Sequence, residues 1–566
     1  MIRPAYIVFA LLFMSASYFY QGSGHNEAAR MDATRALVEH GRFWIDDFVY
    51  NSADVIRYQD GHFYSGKAPG NSLLAIPVYG AANLALGSLP ISEAYRLHWV
   101  TYVATVATVA FFFALAGALV FQMLLRLRET PNVALMITLA VSLGTISFPF
   151  ATLFMSHSLT AALLMIAFYS ICATRFPLPE DQKRPGKWLE ARTLLGGWAA
   201  SFAVTTEYPA AALALLIGLY ALVVWIPPKQ YRLLLWFAVG LVIGILPLLV
   251  YNWMAFQNLF YVPYEAYAYS PGAAFAAHKK GLLGLRLPFL DPEATPIFWN
   301  NFLEITVRSK RGILWFSPVL LLVVPGFILA FLKNYRSSPL RLEYLLSFFC
   351  LLGAIVINSS FGDSIIYWGG GASFGPRHLT MALPLLFLPL ARLTKSRVGQ
   401  GLLLIGTVVS IFVCLMGTAV DPRTPYAPDN PVIEMYWPKF LAGEYNVSPS
   451  GFFGNELITD KSVAFNWGGL MGFKSQWQLL PLFLGWAFCL FLFAAVLRPS
   501  TGIRADLSQE PPKIHRGSAP TRSRTGAAGG SGTASAAQRG QDVQSPATEK
   551  RIVPLLAEVI RRLLQP

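Results

Sequence analysis

Carboxylates, one lysine and a few arginines stand where long apolar runs give way to polar segments, and their types and spacing limit the chemistry open to this chain. In "HNEAARMDATRALVEHG" (25–41) Glu27 and Asp32 lie five residues apart, about 140° around a helix, so they cannot both face one small site. Asp32, Arg35 and Glu39 fall at i, i+3 and i+7 and would support one another as a solvated stripe. Glu27, Arg30 and Thr34 form a second face. Glu27 is the preferred acid for general-base work and Asp32 the second choice; two charges decorating a surface helix is the competing reading. Asn26 can cap this helix and Gly41 stops it.

The bases suit an anion. Lys67, in "GHFYSGKAPGNSLLAIPVYG" (61–80), is held in a Gly/Pro-rich turn. Its ammonium cannot enter lipid cheaply, so it either snorkels to headgroups or binds an anionic ligand. In "FGDSIIYWGGGASFGPRHL" (361–379), Arg377 and His378 follow Pro376 at a helix start. A forked donor beside free backbone N–H groups suits phosphate, and three glycines permit close approach. A tight turn with an Arg among headgroups is the alternative. "EITVRSKRGILWFSP" (304–318) adds Arg308, Lys310 and Arg311, which want either an anionic lipid-linked group or plain headgroups.

The elements that must position these residues are transmembrane. The chain has 566 residues, of which 55% are apolar and 13% charged, against about 25% charged in a soluble domain; its mean hydropathy is +0.48. Apolar runs near the ~20 residues needed to span a bilayer fall roughly at 4–20, 98–124, 132–151, 156–174, 193–206, 208–226, 233–252, 313–332, 343–360, 379–394, 399–420 and 476–497. The first is read as a retained span, with a cleaved signal peptide as the alternative.

With the N-terminus inside, the loops 125–131, 175–192, 227–232, 333–342 and 395–398 and the tail are inward, and each is basic, as the positive-inside rule requires. Counting 71–88 as a span would put that charge outside, so 71–88 is expected to lie against the outer membrane face. The outward loops are then 21–97, 253–312, 361–378 and 421–475, and Glu207 in "TTEYPAA" sits near the same surface. The expected fold is an all-α polytopic membrane protein of about 12 spans (11–13), with juxtamembrane helices in the first outer loop.

The formal net charge of +14 includes +6 from residues 498–566. Much of the rest lies in inward loops, so no nucleic-acid partner is expected. Four cysteines inside apolar runs, at no common spacing, support neither disulfides nor zinc. Residues 498–551 are read as a disordered linker, and "IVPLLAEVIRRLLQ" within 552–566 as an amphipathic helix on the inner leaflet, with a weakly structured or docking tail equally open.

On these residues the chain resembles the GT-C superfamily of integral-membrane glycosyltransferases, in particular the lipid A aminoarabinose transferase and dolichyl-phosphate-mannose protein mannosyltransferase group and its uncharacterised bacterial relatives. That group carries a first-loop pattern like D-E-x-R-Y-x-E-x-A-R-x-M-x-x-x-G. An ungapped match runs from Asn26 to Gly41, with Glu27, Asp32, Arg35 and Gly41 in register. A later pattern like G-x-P-Y-x-x-K-P-P-L-x-Y-W is matched by Gly61, Tyr64, Lys67 and Pro69. The match covers about 80 N-terminal residues; further on, "RGILWFSPVLLL" and "WGGGASFGPRHL" resemble segments of the uncharacterised relatives. Two positions depart: the aspartate taken as catalytic falls on Asn26, which cannot act as a base, and the family's Arg falls on Ala29, with Arg30 next door.

The resemblance implies a GT-C-like transmembrane catalytic domain over 1–497, and transfer of a sugar from a polyprenyl-phosphate donor to a lipid, polysaccharide or protein acceptor. The place would be the periplasmic face of the bacterial cytoplasmic membrane, with inversion at the anomeric carbon. It leaves a divalent cation open, since some members use one and others do not. Carried over, Glu27 or Asp32 would be the base. Lys67, Arg30, Tyr64, Arg377, His378, Arg308, Arg311 and Glu207 would bind substrate or its phosphate. No Gly-rich phosphate loop or D-x-D points to a soluble nucleotide sugar. A transporter, flippase or ligase of lipid-linked saccharides, and a non-catalytic relative, are the competing classes. The first predicts ionisable residues along a central path and an internal repeat, neither of which the sequence displays.

Overall fold

A computed structural model describes residues 4–183, 186–263, 285, 287, 288, 290–332, 338–362, 369–447 and 464–498. The expected linker (499–551 of it) and the C-terminal helix lie outside the described residues. In chain order the helices are α1 (Pro4–Ser17), α2 (His25–His40), α3 (Gly70–Gly87), α4 (Glu93–Thr105), α5 (Phe111–Arg126), α6 (Pro131–Ser142), α7 (Ser147–Ala151), α8 (His157–Arg175), α9 (Pro179–Gln182), α10 (Gly186–Thr206) and α11 (Ala210–Trp225). They continue as α12 (Tyr231–Phe256), α13 (Thr295–Thr306), α14 (Ile313–Phe316), α15 (Val323–Leu332), α16 (Arg341–Ser359), α17 (Phe387–Leu393), α18 (Arg397–Val420), α19 (Trp437–Ala442), α20 (Trp467–Leu470) and α21 (Leu480–Leu497). The chain is thus all-α and polytopic, and helices occupy every expected span. Among the described residues six helices are long and apolar enough to cross a membrane, and four shorter apolar ones accompany them.

The segment 379–394 departs from a regular helix. A 3₁₀ helix runs over Arg377–Leu386, with Pro384 inside it, and only then does α17 begin. Proline has no N–H to give and its ring clashes with the preceding turn, which favours the looser helix. Elsewhere the helices approach closely. A Cβ on Gly240 would overlap the carbonyl oxygen of Leu194, and one on Gly244 that of Trp198. The G-x-x-x-G face of α12 therefore lets its backbone ride on α10.

The helix at 25–40 differs from the surface stripe expected of it. Its N-cap is Gly24 and its C-cap is Gly41, the latter in the left-handed conformation. Asn26 does not cap, because its Oδ1 accepts from Arg30 Nε at 3.0 Å. Asp32 and Arg35 are buried: α2 lies between α3 and a two-stranded hairpin, β2 (Val55–Arg57) with β3 (Phe63–Ser65). What sequence spacing reads as a solvated stripe is the inner wall of a juxtamembrane layer. Helix α3, at the position expected to lie against the membrane, presses its first residue onto α10: a Cβ on Gly70 would stand 2.7 Å from Thr205 backbone atoms.

Candidate active site

The first two turns of α2 reach the loop after α18, the turn before α3 and the α10–α11 junction. From the second turn Arg30 reaches across to that junction. Its Nη2 donates to Glu207 Oε1 at 2.8 Å and its Nη1 to the Ala68 carbonyl at 2.9 Å. Both side chains are buried. Glu207 also accepts from Ser156 Oγ, and His157 Nδ1 lies 3.7 Å from the same oxygen. The arginine thus ties the juxtamembrane layer to the helical bundle through one fully buried pair.

Lys67 stands beside this pair. Its Nζ is 2.9 Å from Asp54 Oδ1. Burial would push the Asp54 carboxyl up, but Lys67, and after it Arg377 and His25, outweigh that and hold it below the usual carboxylate range. Burial pushes the Lys67 ammonium down. Asp54 opposes that, while Arg377 and Arg30 add to it. Lys67 is therefore a cation crowded by cations and held by the Asp54 carboxylate.

Arg377 belongs to the same field, acting on Asp54, Lys67 and His378. Its Nε has no hydrogen-bond partner among the described residues. Gly370, at φ 72°, packs on the Arg377 side chain, where a Cβ would stand 3.0 Å from Nε. The glycine run expected to admit a ligand therefore admits this side chain. His378 stacks edge-on against His157, ring centroids 5.3 Å apart, and His378 Nδ1 and His157 Nε2 are also without partners among the described residues.

Glu27 pairs with Arg423 from the loop after α18. Its Oε1 accepts from Arg423 at 2.7 and 3.1 Å, and its Oε2 has no partner among the described residues. Asp32 is fully buried, with one hydrogen bond, from Asn51 Nδ2 at 3.2 Å. Burial pushes its carboxyl well above the usual range.

Three expected ligands have other partners. Tyr64 donates to Asp60 and packs among Tyr58 and Phe256. Arg308 pairs with Glu304 and Asn300 and is half exposed. Arg311 is buried and donates to the carbonyls of Thr424, Pro425 and Gly371, fastening two loops together. In the structure these three are engaged within the protein. The positive-inside argument marks a basic residue as unusual but cannot say what satisfies it.

Asp54, His157 and Arg423 were not anticipated. The rule that singles out Arg308 applies equally to Arg423, an outer-loop arginine in "DPRTP". Asp54 and His157 carry no comparable signal. No group of three or more His, Cys, Asp or Glu that could hold a metal ion is found among the described residues.

No protein-family model and no curated protein matches this sequence. Two solved structures are similar to it. One is ArnT from Cupriavidus metallidurans bound to undecaprenyl phosphate, at 13% identity and a TM-score of 0.44. The other is the same protein in the apo state, at 15% identity and 0.41. Each likeness covers 87% of this chain and 75% of the other.

Proposed function

We propose that this chain is a GT-C glycosyltransferase that moves a sugar from a polyprenyl-phosphate donor to an acceptor hydroxyl at the outer face of the cytoplasmic membrane. The observation that carries the reading is the crowding of Lys67, Arg30 and Arg377 around Asp54 and Glu207. Basic side chains gathered at one place suit the negative charge of a phosphodiester. The group lies where α2 and α3, a layer suited to the membrane surface, meet the helix ends. A lipid-linked phosphate would arrive at that depth.

In this reading Lys67 and Arg377 hold the phosphate and stabilise it as leaving group. Arg377 brings an N–H with no other partner among the described residues. The acceptor oxygen attacks the anomeric carbon from the face opposite the phosphate. The bond from that carbon to the phosphate oxygen breaks, its electron pair stays on the phosphate, and the configuration inverts. Glu27 takes the acceptor proton on Oε2. Arg30 and Glu207 hold the floor of the site.

A second reading, a non-catalytic relative, draws on Asn26 at the usual aspartate position and on the Glu27–Arg423 pair. Transfer by the purified protein from labelled polyprenyl-phosphate sugars separates the two. Turnover that falls in donor KM with Lys67→Ala and in kcat with Glu27→Gln supports the enzyme; silence with every donor favours the inactive relative or a transporter.

A further inference from the structure

Arg423 reaches Glu27 from a position 396 residues further along the chain. Its guanidinium is fully engaged. Nε and Nη2 both donate to Glu27 Oε1, at 3.1 and 2.7 Å, Nη1 donates to the Gln21 carbonyl at 2.8 Å and Nη2 to that of Gly22 at 3.2 Å. Asp421 Oδ1 takes the Arg423 backbone N–H at 2.9 Å and stands 3.5 Å from Nη1. Such a saturated, buried group is a poor candidate for gripping a substrate directly. It is well built to hold something else still.

What it holds is one oxygen of Glu27. An arginine that only neutralises a carboxylate commonly uses its fork on both oxygens. Here both bonds fall on Oε1, and Oε2, on a side chain 1% exposed, is left without a partner among the described residues. A buried acceptor with no donor calls for an explanation, and a hydroxyl that arrives only with substrate supplies one. Gly24 makes the arrangement feasible, because a Cβ there would stand 2.8 Å from Arg423 Nε and 3.1 Å from Glu27 Oε2.

We propose that Arg423 is a positioning residue: it clamps Oε1 of Glu27 so that Oε2 alone is presented, in a fixed orientation, to the acceptor hydroxyl. This rests on the glycosyl-transfer reading. It adds a residue that no first-loop pattern contains, and it makes the base a joint product of α2 and the loop after α18. Misplacing a reacting group by about 1 Å can cost on the order of 100-fold in rate, which sets the scale of the effect.

The test uses full-length purified protein with a polyprenyl-phosphate sugar donor and compares the wild type with Arg423→Lys, Arg423→Gln, Glu27→Gln and the Glu27→Gln/Arg423→Gln double variant. The expected result is a kcat about 100-fold lower for Arg423→Gln, with partial recovery in Arg423→Lys. Donor KM and the binding of undecaprenyl phosphate stay within about threefold of wild type, because the phosphate site is untouched. The double variant is no slower than Glu27→Gln alone, since a clamp has nothing to do once the base is gone. If Arg423→Gln does not fold, Arg423→Lys and the double variant, which leaves no lone charge, decide the matter. Wild-type kcat in Arg423→Lys and Arg423→Gln overturns the assignment; so does a loss that multiplies with that of Glu27→Gln or appears in donor KM. A wild type silent with every donor overturns the transfer reading and the assignment together, which sets that outcome apart.

Discussion

Lys67 Nζ lies 2.9 Å from Asp54 Oδ1, with the two side chains 13% and 12% exposed. The pair joins the turn before α3 to the start of the β2–β3 hairpin, and it leaves the lysine only partly compensated against Arg377 and Arg30. A phosphate beside this lysine would offset the same two cations.

Removing the lysine charge therefore costs donor binding. Lys67→Ala is expected to raise donor KM by 10- to 100-fold, the value of one charge-assisted hydrogen bond of about 1.5–3 kcal/mol. Asp54→Asn acts through pH. Asp54 keeps Lys67 protonated against burial, so its loss lowers the lysine pKa further. The alkaline limb of a kcat/KM–pH profile then moves to lower pH. A limb that stays in place would show that Lys67 does not bind the donor.

The two first-loop acids should separate cleanly. Glu27→Gln is expected to lower kcat by about 100-fold or more, as loss of a general base does. Asp32→Asn should keep activity within about threefold, because burial already favours the uncharged carboxyl and asparagine has the same shape. Reversal of the two results would make Asp32 the base and α2 more mobile than its packing implies.

Asp421 sets a pH dependence of stability. Burial, partly countered by Arg423, pushes its carboxyl from 3.8 to about 6. The folded state then binds the proton more tightly than the unfolded state. Its favourable contribution is full below about pH 4 and is lost as pH rises through 6, a change of about 3 kcal/mol. Asp421→Asn removes the penalty of the buried charge, so its melting temperature should exceed that of wild type at pH 7.5, with the difference shrinking towards pH 5. Parallel melting curves at both pH values would refute this.

The outer-loop arginines differ in kind. Arg311→Ala empties the place of a fully buried side chain and removes the donor to the buried Thr424 carbonyl and to those of Pro425 and Gly371, and should destabilise the protein by roughly 3–5 kcal/mol, read as a fall in melting temperature. Arg308→Ala removes a half-exposed i,i+4 pair with Glu304 and should change stability by under about 0.5 kcal/mol. Its donor KM should match wild type, and a tenfold rise would return it to the phosphate site.

Much of the architecture was legible because lipid is a simple solvent. Runs such as 233–252 and 399–420 must be helical to satisfy their own backbone, and α12 and α18 cover them. Loop charge excluded 71–88 as a span, and α3 there, pressed against α10, fits that reading. The terminators also read true, as Gly41 ends α2 where a left-handed residue is needed. Spacing along α2 failed on exposure. A stripe at i, i+3 and i+7 names a helix face, not what covers it: Asn51 covers Asp32, Phe48 and Glu93 cover Arg35, and Tyr79 of α3 covers Glu39.

The sequence by itself determined that the chain is helical and built for a membrane, and which residues were available for chemistry: Glu27, Lys67, Arg377 and Glu207 among them. Those facts follow from hydropathy, charge and local geometry, which act over a few residues. Only the tertiary structure decided the partnerships. Lys67 goes to Asp54, Arg30 to Glu207, Arg311 to three carbonyls and Glu27 to Arg423. A buried charge must be satisfied by whatever the fold brings within about 3 Å, and 396 residues of chain separate Glu27 from the arginine that satisfies it.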